Sequence, residues 1–222
     1  MEYIVKILDI EDISENIKKI KIEKPKNYTF ISGQHTLISI NKTKLEDKKR
    51  PFSFSSSDKD GFLEFIIKIY NERNGITKEF NNLKVKDELI IGEPKGKISY
   101  KGKGVFIAAG TGITPFISII KSLNEKNEQK IGNFLIYSNG TKNQIILEKE
   151  LKKLFNNNAI FILSREKKAG YESGHINKKF LRNKIKDFTK KFYLCGPFKL
   201  VFELKKILIE LGAKQENIIS EI

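Results

Sequence analysis

The sequence predicts two domains of different class: an antiparallel β-barrel or sandwich over residues 1–100, then an α/β domain with a parallel sheet over residues 101–222. Three observations carry this. Residues 1–100 hold β-type apolar runs separated by turn pieces, whereas residues 104 onward alternate strand-like and helix-like patterns. The lysine–glycine link Lys101-Gly102-Lys103-Gly104 separates the two halves. The third is the stretch 104–118, GVFIAAGTGITPFIS, in which a short apolar strand, a glycine turn and a helix start follow one another without a break.

Taken in order, the strands of the first half are expected at 3–8, 17–22, 36–40, 62–70 and 88–91. Turn pieces such as Lys24-Pro25-Lys26-Asn27 and Ser57-Asp58-Lys59-Asp60-Gly61 punctuate them. In the second half strands are expected at 104–109, 133–138, 159–164, 191–195 and 217–220, with helices at 115–123, 144–155, 176–185 and 198–211. Such alternation predicts a parallel sheet with helices on both faces, and ligands then bind beyond the carboxyl ends of its strands. Those ends carry Gly110-Thr111-Gly112, Ser138-Asn139-Gly140-Thr141, Ser164-Arg165 and Cys195-Gly196-Pro197, all small, polar or cationic. Thr114 is expected as an N-cap and Pro115 at the first helical position. A glycine turn opening a helix presents N–H groups and a positive dipole end to an anion, here read as a dinucleotide pyrophosphate. The pattern is not G-x-G-x-x-G, because Pro115 stands at the third glycine, and a packing loop is the alternative.

The 222-residue chain carries a formal charge of +15. Of its 42 basic residues four are arginine: Arg50, Arg73, Arg165 and Arg182. Lysines run along the whole chain without aromatic interleaving or one basic block, so a nucleic-acid-binding protein is the remote reading. A solvated lysine surface and a face for an acidic protein partner both stay open. The single cysteine, Cys195, excludes an intramolecular disulfide and a multi-cysteine cluster within this chain. No run approaches membrane-spanning length and Met1-Glu2-Tyr3 opens no basic-then-apolar leader, so the expectation is a cytoplasmic protein without a membrane span.

Arg50-Pro51-Phe52-Ser53 places a cation, a ring and a hydroxyl close together on one strand. An arginine neutralises a phosphate, a ring covers a flat heterocycle and a hydroxyl bonds at its edge; packing is the alternative. Cys195 is either a small buried hydrophobe or a site residue, and no neighbour makes it an activated thiolate. His35 and His175 read as structural.

With these motifs in register, the chain resembles the ferredoxin–NADP(+) reductase-like flavoenzymes, whose shorter members include bacterial flavodoxin and ferredoxin reductases. The resemblance rests on Arg50-Pro51-Phe52-Ser53, Gly75-Ile76-Thr77, Pro94-Lys95-Gly96, Gly110-Thr111-Gly112-Ile113-Thr114-Pro115 and Cys195-Gly196-Pro197, and spans nearly the whole chain. It implies an FAD-binding barrel followed by an NAD(P)-binding domain. Arg50 would then pair with the FAD pyrophosphate, Phe52 stack on the isoalloxazine where many relatives have tyrosine, and Ser53 bond near flavin N5. Gly75, Ile76 and Thr77 would hold the FAD phosphates. Gly110, Thr111, Gly112, Thr114 and Pro115 would hold the nicotinamide dinucleotide, with Cys195, Gly196 and Pro197 beside the nicotinamide. Ser53 and Cys195 are thus the implied catalytic pair. Ser164 and Arg165 resemble the clamp for a 2′-phosphate, which favours NADPH over NADH, although many relatives carry a basic residue where Gly140 stands. Relatives often end in an aromatic; here Ser220-Glu221-Ile222 stands instead, with Glu221 read as a surface residue or, alternatively, a proton-relay carboxylate. The implied activity is hydride transfer from NADPH or NADH to FAD, then single electrons to a ferredoxin or flavodoxin, whose acidity would suit the basic chain. An NAD(P)H-oxidising flavin subunit of a larger complex is the second reading.

Overall fold

The computed structural model describes residues 1–14, 16–72, 75–125, 132–155 and 157–222; Arg73 lies outside them. The alternating runs of the first half become β1 (Glu2–Ser14), β2 (Ile17–Glu23), β3 (His35–Ile40), β4 (Arg50–Ser53), β5 (Phe62–Lys68) and β6 (Glu88–Gly92). They pair antiparallel in the order β4-β3-β6-β1-β2-β5. A bridge from Phe54, just after β4, to Phe65 on β5 brings the two edges together, so the sheet curls into a near-barrel. β1 reaches this curvature by changing partners. Glu2 to Lys6 pair with β6, and from Ile7 onward the strand pairs with β2 through an irregularity between Ile7 and Asp9. Inward residues such as Ile20, Ile22, Ile38, Phe65 and Ile91 fill the interior around Phe54, whose ring stacks on Phe30 at 4.1 Å between centroids. A short helix, α1 (Ile76–Glu79), interrupts the strands before β6; at four residues it leaves no periodicity to read.

The second half forms a parallel sheet of β7 (Gly104–Ala109), β8 (Phe134–Asn139), β9 (Ala159–Leu163), β10 (Glu172–Ser173), β11 (Lys191–Cys195) and β12 (Ile218–Ile219), ordered β10-β9-β8-β7-β11-β12. Helices α2 (Thr114–Glu125) and α3 (Glu148–Leu154) bury Phe116, Ile120 and Leu151 on one face. Helices α4 (Lys178–Lys184) and α5 (Phe198–Glu210) bury Leu181, Val201, Leu204 and Leu208 on the other. From β7 the chain steps outward through β8 and β9 to β10, then crosses back to β11 on the other side of β7, and this reversal opens a crevice at the carboxyl ends of β7 and β11. No helix among the described residues is long and apolar enough to cross a membrane.

Two local expectations are corrected. Thr114 is not an N-cap: Gly110–Ile113 is wound into a 3-10 turn that runs directly into α2, and Thr114 is already helical at φ −58°. Its hydroxyl donates to the Thr111 carbonyl at 2.9 Å rather than accepting from the helix. Gly110 at φ +54° admits that tight turn. The helix expected at 144–155 is shorter, because Leu147 takes a left-handed φ of +52° and α3 begins only after it.

The two halves meet along α2, where Ile17 and Ile66 of the barrel join the apolar cluster around Phe116 and Ile120 and a set of directed polar bonds runs beside it. Ser118 donates to the Ser56 carbonyl at 2.6 Å, and Ser122 to Asp58 Oδ1 at 2.6 Å. Lys121 Nζ lies 2.9 Å from Glu64 Oε1 on β5, an oxygen that also accepts from Ser55 Oγ at 2.9 Å. Ser57 hydrogen-bonds to Glu125.

Candidate functional site

A cleft of about 890 Å³ opens between the two sheets. That is near the upper end of the roughly 300–1,000 Å³ typical of small-molecule sites. Its barrel wall is built on β4, whose register pairs Ser53 with His35 and Phe52 with Thr36 of β3. Alternation along the strand turns neighbouring side chains apart. Phe52, half-buried, packs edge-on against Phe80 at 5.6 Å between centroids and borders the cleft together with Pro51 and Ser53. Thr77, in the first turn of α1, lies on the same wall, and Gly75 is the extended residue that precedes this helix. The first N–H groups of a helix have no partner within it, so this turn offers donors to an anion.

The opposite wall is built from strand ends. Ala109 ends β7 and Gly110, Thr111, Gly112 and Thr114 follow it; Ser138 and Asn139 end β8 before Gly140, Ser164 follows β9, and Cys195 ends β11 before Gly196 and Pro197. Adjacent parallel strands bring these ends into one row. A side chain at Gly112 would place its Cβ 2.5 Å from the Cys195 carbonyl carbon and 2.7 Å from the Gly196 nitrogen, so glycine lets the turn press against the end of β11. Asn139, buried at the end of β8, lines the cleft between Ser138 and Gly140.

The cleft thus gathers Pro51, Phe52, Ser53, Thr77, Gly110, Thr111, Gly112, Thr114, Ser164, Cys195, Gly196 and Pro197 of the residues singled out from the sequence. Five lie off its wall. Ile76 and Pro115 are buried in packing, and Gly75 is half-buried just before α1. Arg50 is exposed at the outer end of β4, with its guanidinium donating to the Lys49 carbonyl at 3.0 Å. Arg165 is exposed beyond β9. There its Nη2 donates to Gln144 Oε1 at 3.3 Å, and the same oxygen accepts from the Gly140 N–H at 3.1 Å. A Cβ at residue 140 would fall 2.6 Å from Arg165 Nε, so the guanidinium fills the space that glycine leaves.

Two further residues line this cleft: His35, read from the sequence as structural, and Glu221, read there as a surface residue or, alternatively, a proton-relay carboxylate. The Glu221 carboxylate accepts from the Lys97 N–H at 3.1 Å and from the Ile98 N–H at 3.2 Å, and lies 3.9 Å from His35 Nδ1. Gly96, at φ +117°, makes this approach feasible, since a Cβ there would lie 2.7 Å from Glu221 Oε1 and 2.9 Å from His35 Nδ1. The signal was present in Pro94-Lys95-Gly96, but nothing in the spacing links it to a residue more than a hundred positions away. Burial, reinforced by the Glu221 charge, pushes the Cys195 thiol up to about 12, so it stays a neutral wall group and no thiolate nucleophile forms.

Comparison with known proteins covers both halves of the chain. The sequence profile described as the oxidoreductase FAD-binding domain matches residues 4–100, and that described as the oxidoreductase NAD-binding domain matches residues 106–206. The NADH-cytochrome b5 reductase 1 of Mortierella alpina is 29% identical over 98% of this chain and 77% of its own length. NADH-cytochrome b5 reductase 2 of Danio rerio is 24% identical over 98% of this chain and 84% of its own. Among solved structures, the FAD/NAD-binding domain of a Vibrio cholerae nitric oxide dioxygenase superimposes with a TM-score of 0.85 at 20% identity, covering 97% of this chain and 96% of that one. A ferredoxin NADP+ reductase from Neisseria gonorrhoeae, with bound FAD and NADP, gives 0.85 at 19% identity, covering 98% and 96%. At those identities the structures speak to the fold.

Proposed function

Because the chain belongs to the ferredoxin reductase-like family of FAD- and NAD-binding oxidoreductases, we propose that it oxidises a nicotinamide dinucleotide and passes the electrons singly to an acidic carrier protein. The observation that carries this reading is the single cleft shared by Phe52 and Ser53 of the barrel and by Gly110–Gly112 and Cys195 of the parallel sheet. FAD, when bound, accepts a hydride from the nicotinamide and releases its electrons one at a time. The protein's share is orientation and electrostatics. We take residues 1–100 as the FAD-binding domain and 101–222 as the nucleotide-binding domain.

Within this reading each residue has a task. Phe52 supports the flat ring, with Phe80 behind it to hold its angle. Ser53 offers a hydroxyl at the ring edge, and Pro51 stiffens the strand beside it. Arg50 neutralises pyrophosphate charge at the end of β4, aided by the helix start Gly75, Ile76 and Thr77. Gly110, Thr111 and Gly112 receive the nicotinamide dinucleotide at the start of the helical unit, which Thr114 and Pro115 anchor. Cys195, Gly196 and Pro197 wall off the nicotinamide, and the protonated Cys195 fills space there without adding a negative charge.

Donor choice falls to Ser164 and Arg165. An arginine held by Gln144 at the strand ends suits a 2′-phosphate, which favours NADPH. NADH is the second reading, supported by relatives whose names are those of NADH enzymes. The same names make cytochrome b5 a candidate carrier beside ferredoxin and flavodoxin. The deciding experiment is the visible spectrum of the protein loaded with FAD, followed anaerobically through addition of NADPH and then NADH. Bleaching by one nucleotide supports the reading and identifies the donor; failure to retain any flavin refutes it.

A further inference from the structure

The outer face of α5 is apolar where it approaches the cleft. This helix starts immediately after Pro197, a wall residue, and its first two turns show Phe198 at 69% and Phe202 at 48% exposure. The two rings stack at 6.2 Å between centroids with planes 8° apart. Lys206 continues the row, its Nζ 4.3 Å from the Phe202 centroid, and Lys199 is exposed beside Phe198. On the neighbouring side Lys205 donates to the main chain of Ile222, and the adjoining Glu221 is the carboxylate that holds the Lys97 N–H at the cleft wall. An aromatic pair bordered by lysines therefore sits at the rim of the cleft. Acid is sparse here: Glu203 is exposed on the helix, and Glu210 at its far end is paired with Lys178 at 2.7 Å.

A surface helix ordinarily turns such rings inward, and a contiguous exposed aromatic pair marks an interaction site. An apolar centre with a cationic border complements a partner with an apolar centre and an acidic rim. We propose that the Phe198–Phe202 face of α5 is the docking surface for an acidic one-electron carrier protein, which it seats beside Pro197 at the cleft mouth. The inference rests on the electron-transfer reading above and names where the carrier binds. Electrons balance across two dockings: one NAD(P)H becomes NAD(P)+, one proton is released, and two carrier molecules each gain one electron.

The test uses the full chain loaded with FAD, with ferricyanide as a small acceptor that needs no docking and with cytochrome b5 and a ferredoxin as carriers. In the double variant Phe198→Ser/Phe202→Ser, KM for the carrier should rise about tenfold or more while ferricyanide turnover stays within about twofold. In Lys199→Glu/Lys206→Glu, the salt dependence of carrier reduction should flatten. Unchanged carrier kinetics in both variants overturn the proposal, as does a wild type that reduces ferricyanide but neither carrier at low salt. A wild-type dimer that the phenylalanine substitutions dissociate also overturns it, by assigning the face to a second copy. Loss of ferricyanide reduction in the wild type would instead strike the electron-transfer reading itself.

Discussion

The Lys121–Glu64 pair makes an asymmetric prediction about the seam between the two sheets. Glu64 is only 6% exposed at its side chain, whereas Lys121 is 32% exposed, and the two approach to 2.9 Å. Replacing Lys121 by methionine strands a buried carboxylate that keeps the Ser55 hydroxyl as its remaining donor. Stranding one partner of a buried pair costs about 3–5 kcal/mol, and partial solvent access on the lysine side brings the expectation to about 2–3 kcal/mol. Replacing Glu64 by glutamine leaves an amide oxygen that still accepts from Ser55 and a lysine free to turn into water, so about 1 kcal/mol is expected. The double variant should be more stable than the sum of the singles predicts, with a coupling of about 1–2 kcal/mol. Urea unfolding of the four proteins measures this, and a changed slope in Lys121→Met would report that the halves have begun to unfold separately. Equal costs for the two single changes, or a larger cost for Glu64→Gln, would refute the assignment of Glu64 as the buried end of the pair.

Three further outcomes follow from the residue assignments. Arg50→Ala should weaken FAD retention by about tenfold to a hundredfold, the worth of one charge-assisted phosphate contact; flavin fluorescence titration checks it, and unchanged affinity removes Arg50 from the site. Arg165→Ala should raise KM for NADPH about tenfold more than KM for NADH, and Gln144→Leu should move the same ratio in the same direction by less, because it frees the guanidinium that Gln144 now holds. Equal effects on both nucleotides would exclude a 2′-phosphate role. The raised Cys195 pKa has two readouts. Alkylation by iodoacetamide at pH 8 should be far slower in the native protein than in urea. Since the folded-state value lies above the unfolded one, its stabilisation is complete below about pH 9 and is lost as pH rises toward 12, at about 1.4 kcal/mol per pH unit. Wild type should therefore lose more stability than Cys195→Ala between pH 8 and 10 in urea titrations.

The two sheets were readable from the chain because periodicity survives in long elements. The apolar run Gly104–Ala109 and the strand–helix alternation that follows it occupy their expected places. Short or wound elements were not readable. α1 has four residues, and Gly110–Ile113 spends its glycines on a 3-10 turn that removes Thr114 from the cap position. The motifs on strand ends could be gathered by topology alone, since parallel strands align their ends. Side-chain meetings across the fold could not. His35, Gly96 and Glu221 come together from both halves of the chain, and Arg165 finds Gln144 and the empty space over Gly140, through contacts that leave no period and no fixed spacing.

The seam along α2 also bears on how such proteins can be recombined. Ser118, Lys121 and Ser122 meet Ser56, Glu64 and Asp58 through directed polar contacts, so helix and barrel fit like a keyed joint. A chimaera that joined this barrel to the nucleotide domain of another family member would keep both folds and still misalign the two walls, unless the donor helix carried the same key at the same positions. Grafting residues 114–125 along with the barrel is the cut that preserves the angle between the walls.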